Sequence, residues 1–158
     1  MPANRPLLFG SMERQRDLGR EAAAYVDRAT SMLRRARLLV AHDRRDAAAL
    51  LGSRRDTVET LLGGYQRFKH GCIFDPVVAR GTASSQIVAR RMKTECWIMG
   101  QTFGDYHARW SRADVARQWS TYRDEMLDTT ERLLAHFEVE RDAMGKLLTI
   151  SGMYAAFG

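Results

Sequence analysis

His136 and Glu140 are the pair in this chain whose types and spacing best suit a chemical role. On a helix, residues four apart share a face, so an imidazole nitrogen and a carboxylate oxygen can reach one metal ion, as zinc and iron sites require. Thr129, Leu133 and Met144 fall on the same face, which sets the pair in or beside a core stripe. A carboxylate there needs a metal, a cation or a hydrogen bond, because burying it unpaired is costly. The plainer alternative is an exposed His–Glu pair at the edge of the stripe. His70, in the stretch FKHGCIFDP, is a further candidate ligand. Its neighbours Ile73 and Phe74 fit a hydrogen-bonded packing histidine equally well. The candidate metal ligands are therefore His70, His136 and Glu140.

Other chemistries find less support. Cys72 and Cys96 stand 24 residues apart without a CxxC or CxxH pattern, which excludes a disulfide scaffold and a zinc finger. Both are expected to pack as small buried hydrophobes rather than to act as reactive thiols. GxSxG, P-loop, dinucleotide-fold and HExxH motifs are absent, so hydrolysis has no motif to rest on and the chain leans toward a binder or sensor. A histidine phosphotransfer role would need an exposed His beside a Lys. Lys69–His70 fits that loosely, but Phe74 stands where a small or polar residue is needed.

The elements that must position these residues are helices. Alanine and leucine total 35 of the 158 residues, against 12 for valine and isoleucine, a composition that favours helix over strand. The three prolines are Pro2, Pro6 and Pro76, and no alternating strand pattern or Asn-Gly hairpin turn appears. Four amphipathic segments follow from the 3.6-residue period. The first spans about 17–42, followed by a polar stretch and a short Ala/Leu piece ending at Gly52. The second begins near Ser53 or Asp56 and is kinked or stopped by Pro76. Gly81–Ser85 reads as a loop. The third segment carries Val88, Met92, Cys96, Met99, Phe103, Tyr106 and Trp110, and 111–114 is a turn. The fourth carries Trp119, Tyr122, Met126, Leu133, Phe137, Met144 and Leu147. The fold class expected is all-α, an antiparallel up-and-down four-helix bundle. Its parts would be an N-terminal extension over 1–16, the bundle over 17–148 and an apolar tail over 149–158.

Hydrophobic residues at 45% and charged residues at 28% match a globular chain and exclude a disordered or membrane-spanning one. No signal-peptide layout opens the sequence, so a cytoplasmic location is expected. The net charge of +6 comes from 25 basic and 19 acidic residues, and 22 of the basic ones are Arg. The excess lies mostly in the first half. No nucleic-acid-binding motif accompanies it and acidic residues interleave throughout, so nucleic acid is not an expected partner. The Arg-rich half or the tail, with Tyr154 and Phe157, would instead suit a protein partner or a homodimer.

The stretch YQRFKHGCIFDPVV, followed some 60 residues later by LLAHFEVERDAM, resembles the hemerythrin-like (HHE cation-binding) bundles. The resemblance covers roughly 20–148. It implies a non-haem iron site, mononuclear or di-iron, or a site for another divalent metal, with His70, His136 and Glu140 as ligands and oxygen, nitric oxide or iron as what is bound or sensed. Tyr65, Tyr106 and Tyr122 would be partners of those ligands, or simply core residues. The chain departs from the family pattern at Phe74, where a bridging Glu is usual. His42 and His107 also lie only near helix ends. A reduced site follows, with Glu95, His107 or His42 as possible recruits. The alternative is a metal-free regulatory or interaction bundle that kept the shape and lost the site.

Overall fold

A computed structural model describes residues 7–148. The Thr149–Gly158 tail, with Tyr154 and Phe157, and the prolines Pro2 and Pro6 lie outside the described residues. Within them the chain is all-helical and contains no strand. Among the described residues, no helix is long and apolar enough to cross a membrane.

Helix α1 spans Met12–Ala41, starting five residues before the expected boundary because Ser11 caps it: the Ser11 hydroxyl accepts the Arg14 N–H at 3.0 Å. Its buried side chains, Leu18, Ala22, Val26, Ala29, Leu33, Ala36 and Val40, recur every three or four residues, the spacing of a single inward stripe. After α1, Asp43 adopts φ 53°, a left-handed conformation that Asp tolerates. Its carboxylate accepts the Trp119 indole N–H at 3.1 Å and pairs with Arg123 at 3.2 Å. That turn is thereby tied to the start of the last helix.

A short 3-10 turn, Arg45–Ala47, leads into α2, Ala48–Lys69. The expected break at Gly52 does not occur. Leu51 is buried and anchors the first turn, and a mid-helix glycine costs only about 1 kcal/mol. Ser53 is not a cap; its carbonyl accepts the Thr57 hydroxyl at 3.0 Å inside the helix.

Pro76 neither stops the helix nor bends it alone. The residues His70–Phe74 form one wide π-type turn in which the Asp75 N–H bonds the His70 carbonyl, and α3, Asp75–Arg80, continues beyond it. Proline has no N–H for the carbonyl four residues back, and its ring would strike that carbonyl in a regular α-helix. Widening the preceding turn removes the conflict.

The loop expected over 81–85 shrinks to Gly81 and Thr82. The Thr82 hydroxyl accepts the Ser85 N–H at 3.3 Å, and Ser84 and Ser85 lie inside α4, Ala83–Arg112. Asp114 accepts the Arg117 N–H at 3.2 Å in the next turn, and α5 spans Trp119–Leu147.

Helix α1 packs on α2 and α5, and α4 packs on the same two. Cys96, near the middle of α4, meets Glu140, late in α5, while Trp110, late in α4, meets Tyr122, early in α5. Asp56 and His107 pair across α2 and α4, Tyr25 of α1 stacks on Tyr65 of α2, and Arg37 of α1 donates to the Leu127 carbonyl of α5 at 2.7 Å.

The α3–α4 corner depends on a missing side chain. A Cβ on Gly81 would lie 2.6 Å from the Val77 carbonyl oxygen, to which the Gly81 N–H is bonded at 2.7 Å. Gly81→Ala is expected to destabilise the protein by about 1–3 kcal/mol. Gly104→Ala, inside α4 with nothing within 4 Å of the new carbon, should stabilise it by about 0.5–1 kcal/mol. Paired urea denaturation curves, with midpoints moving in opposite directions, check both.

Candidate metal centre

Glu140 is completely buried, at 0% exposure. A carboxylate in that position is tolerable only if its oxygens are satisfied, and four side chains from three helices do so. The Tyr65 hydroxyl donates to Oε1. Lys69 Nζ, itself only 4% exposed, lies 2.8 Å from Oε2. The Cys96 thiol donates to the same oxygen at 2.9 Å, and His136 Nε2 sits 3.1 Å from it. Tyr65 and Lys69 are four apart in the last turns of α2, and His136 and Glu140 are four apart on α5. Each helix thus presents its pair on one face, while α4 contributes Cys96 from its buried stripe.

The electrostatics follow from this enclosure. Burial by itself would raise the Glu140 carboxyl. The His136 hydrogen bond, the charge of Lys69, and the hydrogen bonds from Cys96 and Lys69 outweigh it and hold the group at about 2. The same burial, with the Glu140 charge added, pushes the Tyr65 hydroxyl and the Cys96 thiol well above their ordinary values. Both therefore remain protonated donors. Lys69 also lies 4.3 Å from the centre of the Tyr65 ring, whose face attracts the cation.

Cys96, His136 and Glu140 are the one group among the described residues that could converge on a metal ion. Their donor atoms form a triangle with edges of 2.9, 3.1 and 3.5 Å. A tetrahedral zinc ion with ordinary bonds to sulfur, nitrogen and oxygen spans edges of roughly 3.4–3.6 Å. The Cys96–Glu140 edge would need to open by about 0.7 Å and the His136–Glu140 edge by about 0.3 Å, while the Cys96–His136 edge already fits. Beside it lies a cavity of about 230 Å³, lined by Tyr65, Lys69, Cys96 and His136 at one part and by Leu62, Met99 and other residues elsewhere. Glu140 does not line it.

The expected ligands are only partly brought together. His136 and Glu140 meet, and Tyr65 joins them. His70 does not: it lies in the wide turn with its ring edge-on to Phe74 at 5.4 Å, and its Nε2 has no partner. Burial, followed by the charges of Lys69 and Lys93, lowers its basicity. His107 pairs with Asp56 at 2.8 Å, Glu95 pairs with Arg91 at 3.0 Å, and His42 is the exposed C-cap of α1. Tyr106 and Tyr122 belong to a different cluster. Asp75, five residues after His70, reaches Lys93 of α4 at 2.7 Å.

Sequence reasoning passed over Cys96 as a ligand and Lys69 as the counter-ion. Lys69 carried a signal, since the chain uses Arg at 22 of its 25 basic positions, and a lysine four residues after an inward tyrosine is out of pattern.

No family model matches this chain, and no curated protein or solved structure matches it either.

Because the folded Glu140 carboxyl titrates below its ordinary value of 4.5, its contribution to stability is fully present above that pH. It fades as the pH falls toward about 2. Glu140→Gln, which leaves Lys69 buried without a counter-charge, is expected to cost about 3–5 kcal/mol at pH 7. The gap between the two proteins should narrow steadily from pH 4.5 downward. Guanidinium denaturation across that range checks it, a constant gap being the opposing result.

Proposed function

We propose that the protein is an antiparallel four-helix bundle that binds one divalent metal ion through Cys96, His136 and Glu140, for metal-dependent binding or sensing. The observation that carries the reading is the triangle of thiol, imidazole and carboxylate atoms, all within 4.8 Å of one another. The donor types fit the group. A thiolate with an imidazole and a carboxylate suits zinc, or ferrous iron in the same place. They do not fit two ions. A di-iron centre needs a bridging carboxylate and further donors, whereas three donors converge among the described residues. The hemerythrin-like resemblance is thus retained only in a reduced, mononuclear form, with Cys96 in the set and His70 outside it. A bound ion would supply a Lewis-acidic centre. The chain's own residues would orient the three donors, and His136 and Cys96 would face whatever small molecule enters the cavity.

A second reading has one observation in its favour. Lys69 Nζ lies 2.8 Å from the Glu140 oxygen that a metal would use. The charge of Glu140 is therefore balanced without an ion, as in a metal-free interaction bundle. The exposed Trp97, at 60%, and its neighbour Ile98 on α4 are the apolar surface such a protein would offer a partner.

Metal-stripped protein titrated with zinc by calorimetry separates the readings. One ion per chain is expected. Binding should tighten as pH rises, because the ion must displace the proton of the Cys96 thiol, which burial holds on. Cys96→Ala and His136→Ala should each weaken binding by more than about 100-fold, beyond the loss typical of an outer partner. His107→Ala should leave it unchanged. Folded protein that takes up no zinc, cobalt or ferrous iron would leave the metal-free reading standing.

A further inference from the structure

A second buried polar group lies along α2 from the first, fourteen residues or roughly 20 Å of helix away from Lys69. Arg55 is 8% exposed and donates through Nη2 to the Trp110 carbonyl at 3.0 Å. Its Nε and Nη1 are buried and have no partner. A guanidinium does not lose its proton in a protein, so it cannot escape the cost of burial by neutralising, and an unpaired buried charge costs several kcal/mol.

Among the described residues, no carboxylate pairs with it. Asp56, the next residue, is exposed and paired with His107. Glu59, four residues on, lines the cavity beside Cys96 instead. The Tyr122 ring centre lies 5.7 Å from the Arg55 guanidinium carbon, and an aromatic face offsets only part of a buried charge.

Next to Arg55 is a cavity of about 20 Å³, lined by Arg54, Arg55, Tyr106, Tyr122 and apolar side chains such as Leu51 and Met126. The Arg54 Nε is also buried without a partner. Two cationic side chains with three unpartnered donor nitrogens thus line a small, half-open pocket with no carboxylate in its lining. Its size admits one water-sized particle and excludes phosphate or any organic acid. A water molecule would satisfy hydrogen bonds there but not charge.

We propose that this cavity is a site for a single monatomic anion of the chloride class, held by the unpaired N–H groups of Arg54 and Arg55. The anion completes the core at that position, and the folded state is stabilised in proportion to the logarithm of halide concentration once the site saturates. The inference does not rest on the metal reading, since none of the proposed metal donors lines this cavity.

Thermal unfolding with chloride raised from 1 to 100 mM, and gluconate holding the ionic strength constant, tests it. The midpoint should rise by about 5 °C, bromide should act as chloride does, and Arg55→Met should remove the dependence. Equal midpoints in chloride and gluconate, or an unchanged dependence in Arg55→Met, would overturn the proposal. Should Arg55→Met not fold, wild-type crystals grown in sodium bromide decide the matter. An anomalous bromide signal in the cavity supports the site, and a cavity containing only water overturns it.

Discussion

The carboxylate of Glu140 is the constraint around which the rest of the packing is arranged. A fully buried negative charge must find donors from whatever surrounds it, and here they come from α2, α4 and α5. Each donor fixes the rotation of its helix about its own axis. Turning α4 by one residue, or about 100°, would carry Cys96 away, and turning α2 would carry away Tyr65 and Lys69 together. Helix α1 joins through apolar contact, its Tyr25 stacked on Tyr65 at 5.2 Å and on Phe68 at 5.6 Å. An ion pair of this kind adds little stability over a well-packed apolar core and is very costly to leave half-made. Its contribution is to make one arrangement of the helices far better than its neighbours.

The two polar clusters of the interior are unlike. Around Glu140 the chain provides its own opposite charge, and every polar atom in contact with the carboxylate points at it. Around Arg55 the chain provides carbonyl and aromatic faces but no anion. Phe103 lines both cavities, the first rich in exchangeable protons and the second in fixed positive charge. The donors of the first include a thiol, a phenol, an imidazole and an ammonium group; those of the second include guanidinium groups.

How much of this was legible in the sequence depends on whether the information was local. The inward stripes of the long helices follow from apolar spacing, and Ala29, Leu33, Ala36 and Val40 are buried as the periodicity requires. The His136–Glu140 pair was legible for the same reason, because four residues along a helix is a local relation. The partners of Glu140 were not. Lys69 and Cys96 lie 71 and 44 positions away in the chain, and nothing in their own neighbourhoods specifies which helix they face. The capping of α1 by Ser11 and of α4 by Thr82 was present in the residues but was outweighed by composition: GTASS has the content of a loop, while only its first two residues lie outside the helices. His70 was misleading in a different way. Its apolar neighbours are real, but they belong to a widened turn that gives it an aromatic edge rather than a ligand's company.

That widened turn gives the run from Ala48 to Arg80 two phases on one continuous course. Upstream of it, the inward face is set by Tyr65 and Lys69 and answers to Glu140. Downstream, the face is set by Ile73, Phe74 and Val77, with Asp75 bound to Lys93 and Arg80 to the Leu8 carbonyl. A regular α-helix could not serve both, since one angular setting would propagate from end to end. The turn works like a coupling between two shafts, letting the charged half and the apolar half each sit at its own angle. It also means that an added or lost residue between His70 and Phe74 would first be felt as a change of phase, before any change of length.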